Sequence, residues 1–127
     1  MSFEVIEFNG RRYAEIIRAD MRQEKTRFFS PAESSMQFGV LAHAAGFIEP
    51  PHYHKEVARS ICDLQQMLIV QRGRLALDFF TDAGAPLGSV TLGPGDSALL
   101  VHGVHSVRVL EDMQCISVKQ GPFLGIE

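Results

Sequence analysis

Nine short runs, each apolar or alternating apolar with polar, succeed one another at residues 3–8, 13–17, 37–43, 66–70, 75–80, 89–92, 97–101, 106–110 and 115–118. Alternation with period two puts successive side chains on opposite faces of a strand, so each run predicts a strand with one face turned inward. Parallel strands need crossovers of a dozen or more residues, usually helical, whereas antiparallel strands need only tight turns. Turn chemistry fills the breaks in the second half of the chain: Gln71-Arg72-Gly73, Asp82-Ala83-Gly84 and Gly93-Pro94-Gly95-Asp96. Proline presets φ at one turn position and glycine accepts a positive φ at the next. Only 19–26 and 56–64 could hold a helical turn, so the expected fold is all-β, an antiparallel sandwich or barrel.

The 127 residues suit one domain spanning 1–127. Twelve Lys and Arg against fifteen Asp and Glu give a net charge of −3, which supplies no field to attract nucleic acid or an anionic membrane. The start, Met1-Ser2-Phe3-Glu4, lacks the basic and apolar regions of a secretion signal, and no run is long enough to span a bilayer. Cys62 and Cys115 are too few and too far apart for a disulfide framework, so the expectation is a reduced, cytoplasmic protein. Met67-Leu68-Ile69-Val70 is apolar on both faces of its strand, which calls for cover on the outside as well. A second copy of the chain is the simplest cover, so a homodimer is expected.

The chemistry centres on "PPHYHKEVARS", residues 50–60. On a strand at 51–55, His52 and His54 would point to one side and Tyr53 to the other, the geometry of a chelating pair. Taken alone, the same string also reads as a solvated loop, and a third ligand is required to separate the readings. His105 is the best candidate, at the start of the strand that follows Gly103.

These residues resemble the cupin superfamily. Its first motif runs Gly, five residues, His-x-His, a short gap, Glu, six residues, Gly; here Gly46, His52, His54 and Gly73 match, and the spacing back from Gly73 puts Gln66 where the family has Glu. The second motif survives as "LGPGDSALLVHGVHSV", with Gly95, Gly103 and His105 in place and Val101 at the usual proline. The tail "VKQGPFLG" is similar to that of small cupins linked to polysaccharide biosynthesis. The resemblance covers Gly46 to His105 and implies a double-stranded β-helix, or jelly-roll, barrel. It further implies a divalent ion held by His52, His54 and His105 with Gln66 beside it, and zinc, iron, nickel and manganese are candidates.

Three imidazoles leave coordination positions open, which suits an isomerase, epimerase or dioxygenase acting on a small, sugar-like metabolite. A non-catalytic binding module and a metal-free structural barrel are the alternatives, because no carboxylate is placed beside the ion as a base; Glu56 and Asp63 could only swing in from a loop. Arg59 is a candidate for an anionic substrate group or else a solvated side chain, and Lys55 and Glu56 read as wet surface. His43 reads as a hydrogen-bonded wall residue, and His102 stands in reserve should the register of the second motif slip. Cys115 alternates like a core residue.

Overall fold

In the computed structural model, which describes residues 2–122, the regular structure is entirely β, and no helix forms among the described residues. The chain divides into two compact units: Met1–Met21 with Leu64–Glu127, and Arg22–Asp63.

The first unit is a six-stranded antiparallel sheet. Strands β1 (Phe3–Phe8) and β2 (Arg11–Ile17) form a hairpin whose two turn residues, Asn9 and Gly10, both have positive φ, 52° and 73°. Such a turn carries the right-handed twist of the flanking strands, and Asn-Gly is the pair that tolerates it. In chain order, β5 (Gln66–Phe80), β6 (Pro86–Leu92), β7 (Ser97–Leu100) and β8 (Val104–Lys119) complete the sheet, in the spatial order β1-β2-β7-β5-β6 with β8 on the other edge of β5. The first part of β5 is flanked by β7 and its second part by β6, while β8 follows it along both. The sheet curls as a half-barrel.

The second unit contains the short pair β3 (Arg27–Phe28) and β4 (Gly39–Val40), with Gly39 packed so closely that a Cβ would stand 2.5 Å from Phe28 Cα and collide with the Arg27 carbonyl oxygen. From residue 41 to residue 65 the backbone joins no ladder.

Several expectations are corrected here. The runs 66–70 and 75–80 form one strand, not two, and so do 106–110 and 115–118. Gly73, expected in a turn, has φ 80° within a run of register shifts, and its missing side chain leaves room for the backbone of Asp112 and Met113. This irregularity has a packing purpose. Leu68 and Val70 are buried before it and Leu75, Leu77 and Phe79 after it, five residues from Val70 to Leu75, a spacing that strict alternation cannot put on one face. The bulge restores the phase, and these side chains join Ile16, Leu92 and Leu100 in one core. Full burial of each such side chain contributes about 1.5–3 kcal/mol. The stretches 19–26 and 56–64, able to hold a helical turn, form none, the 37–43 strand shortens to Gly39–Val40, and the strand expected at 51–55 is absent.

Gly93-Pro94-Gly95-Asp96 is a turn, as its sequence predicts. Gly95, at φ 86°, donates its N–H to the Val70 carbonyl at 2.8 Å. Asp96 accepts from the N–H groups of Gly93 (2.9 Å) and Ala19 (2.8 Å) and from Arg18 Nη1 (3.2 Å). Arg18 also forms a two-bond pair with Glu4, at 2.6 and 3.1 Å, which raises its pKa and ties β1 to the turn.

Candidate functional site

The five histidines fall in distinct local settings, and their surroundings follow from the elements that carry them. His52 and His54 lie in the exposed stretch of the second unit that follows Pro50-Pro51. The stretch joins no ladder. The two rings are neighbours, with centroids 5.4 Å apart and planes at 72°. His52 Nδ1 lies 2.8 Å from the Pro50 carbonyl oxygen, and Nε2 lies 3.0 Å from Glu49 Oε1. A carbonyl can only accept, so Nδ1 donates to Pro50. An Nδ1–H bonded to a backbone carbonyl is the support that metal-binding histidines use to hold ring and tautomer.

Glu49 is a residue that motif reasoning missed. Its signal was present in the sequence, a carboxylate three residues before His52, but only folded geometry brings it to Nε2.

His105 and Gln66 lie on the sheet of the first unit. His105 on β8 is the cross-strand partner of Phe79, which is buried, so it shares the core-bearing face with Phe79, Leu77 and Leu75. Part of the imidazole remains open to solvent, yet the packing around it desolvates the ring and lowers its pKa, which favours the neutral, ligand-competent form. Gln66 is on the same face as Leu68 and Val70, as the alternation predicts, and donates from Nε2 to Ser117 Oγ at 2.8 Å. Among the described residues no group of three or more His, Cys, Asp or Glu stands together as a metal cluster.

The remaining candidates are accounted for locally. His43 stacks on Phe47 at 4.0 Å and 9°, with Nε2 3.4 Å from Thr26 Oγ1. His102 pairs through Nε2 with Asp82 at 2.9 Å and meets the Tyr13 ring edge-on at 5.1 Å. Asp63 accepts from Ser35 Oγ at 2.9 and 3.0 Å, which ties this carboxylate to the hydroxyl. Glu56, Lys55 and Tyr53 are exposed. Arg59 borders a cavity of about 500 Å³ that it shares with Glu33, Ser34, Ser35, Gln37 and Ser60, a polar lining with one guanidinium and one carboxylate. Cys115 packs against the core, and burial raises its thiol pKa. Of the tail "VKQGPFLG", residues 123–125 lie outside the described residues.

No protein-family model, curated protein or solved structure matches the chain. No helix among the described residues is long and apolar enough to cross a membrane.

Proposed function

We propose that the chain forms a jelly-roll barrel of the cupin type which holds a divalent ion on His52, His54 and His105, with Gln66 facing it, and binds a small, hydroxyl-rich or anionic metabolite there. The observation that carries this reading is the His52–His54 pair, with adjacent rings and Nδ1 of His52 held by the Pro50 carbonyl. What supports the reading is the chemistry of the donors: two imidazoles with adjacent rings and a third, His105, whose pKa desolvation lowers. Gln66 contributes an amide in place of a carboxylate, so the site carries less negative charge and holds a cation less tightly. A bound divalent ion would supply Lewis acidity toward a carbonyl or hydroxyl oxygen.

Binding is favoured over turnover by a specific observation. Among the described residues, Asp63 accepts from Ser35 and Glu49 pairs with His52, so neither carboxylate stands open as a base of fixed position. Arg59, in a cavity it shares with serine hydroxyls and Glu33, is the guanidinium that would hydrogen-bond an anionic group of the ligand. An isomerase, epimerase or dioxygenase is the second reading, favoured by the coordination positions that three imidazoles leave open.

The test is elemental analysis and metal titration of the wild type and of single His→Ala variants. His52→Ala, His54→Ala and His105→Ala should each lose the ion, while His43→Ala and His102→Ala keep it. Retention by all three ligand variants would refute the site.

A further inference from the structure

The structure presents two complementary needs. The first is an unpaired edge: β8 is sixteen residues long and, among the described residues, pairs with β5 alone. Val107 and Val109 share a face with the buried Leu77 and Leu75 yet are 42% and 56% exposed. A long apolar edge of this kind is a template for another strand. The second is an unpaired arm. Among the described residues, the backbone between residues 45 and 62 joins no ladder, and Phe47 N donates to Ala44 O at 3.2 Å. The arm's large apolar side chains are open to water, Ile48 at 80%, Tyr53 at 82% and Val57 at 62%. Its far end is fixed where the buried Gln65 donates its N–H to Gln120 Oε1 at 2.6 Å. A segment outside any ladder and a strand edge whose N–H and C=O groups face outward can pair by strand addition.

We infer that the arm of one copy adds to the free edge of β8 in a second copy, and that the exchange is reciprocal. The occupant is a second copy because the exchange of an identical element closes under a two-fold axis and satisfies both edges and both arms with no further partner. The extent is sufficient: arm and β8 together exceed the roughly 20–30 residues a side of a standard stable interface. The site becomes composite, with His52 and His54 from one copy meeting His105 of the other. This last consequence rests on the three-histidine reading; the exchange itself does not.

Two measurements on the full-length chain test it. In the first, a His52→Ala/His54→Ala variant and a His105→Ala variant, each unable to bind zinc, are unfolded together at equal concentration and refolded. With exchange, half the dimers are mixed and each mixed dimer regains one of its two sites, so zinc returns to about a quarter of the wild-type content. No recovery, in a protein whose wild type binds zinc, means that the arm closes on its own chain and overturns the inference. In the second, trypsin cleavage at Lys55 and Arg59 is followed in dimer and monomer fractions after refolding at high and at low concentration. Protection in the dimer with rapid cleavage in the monomer is expected. A chain that never dimerises, a dimer cut as fast as the monomer, or a protected monomer would each overturn the exchange. A wild type that binds no zinc would sink the proposed function and leave the trypsin result to decide the exchange.

Discussion

Gly73→Ala tests the irregularity that lets one long strand present a single core face. At φ 80° an L-residue pays a left-handed backbone penalty of about 1–2 kcal/mol. The added methyl would also collide with the Asp112 carbonyl oxygen and stand 2.7 Å from Met113 Cα. Neither atom is the end of a flexible side chain, so the backbone of β8 must shift, a further cost of about 1–3 kcal/mol. The expected loss is therefore about 2–5 kcal/mol. Gly84→Ala is the internal control: its φ is 88°, similarly left-handed, but a Cβ there meets nothing within 4 Å. It should lose only the backbone part, about 1–2 kcal/mol. Urea unfolding followed by far-ultraviolet circular dichroism gives both values. In thermal melts, at roughly 3–4 °C per kcal/mol for a chain of this length, Gly73→Ala should fall by about 6–20 °C and Gly84→Ala by about 3–8 °C. Equal losses in the two variants would refute the close approach of Asp112 and, with it, the account of how Val70 and Leu75 come to share a face.

Two further outcomes are expected. Arg108 donates to Asp78 from Nε at 2.6 Å and from Nη2 at 3.1 Å, and with the Ser89 hydroxyl holds the Asp78 pKa down at about 2, below its ordinary 3.8. Between those values the unfolded chain binds the proton and the folded chain does not, so this contribution is complete above pH 3.8 and is lost as pH falls toward 2; Asp78→Asn should flatten that part of the acid-unfolding curve, and an unchanged curve would refute the assignment. Gln66→Glu should tighten divalent-cation binding measured by titration, with the gain fading as protons compete at low pH, and should lower the melting temperature of the metal-free protein, because a half-buried carboxylate replaces an amide bonded to Ser117; no change in either would place Gln66 away from the ion.

What the residues determine by themselves is periodicity and local turn geometry. Leu75, Leu77 and Phe79 face one way because a strand alternates, and Gln66 falls beside Leu68 and Val70 for the same reason. Asn9-Gly10 and Gly95 sit at positive φ because few other residues accept it. Even the bond from His52 to Pro50 is a matter of two residues. Only tertiary structure decided that Gly73 is a bulge and not a turn, since a positive φ serves both and the choice depends on the backbone of Asp112, 39 residues onward, arriving against it. It also decided that 51–55 forms no strand in this chain. Extended backbone is a local preference, but a ladder needs a partner edge, and the pairing of edges is a property of whole chains, not of the dipeptides within them.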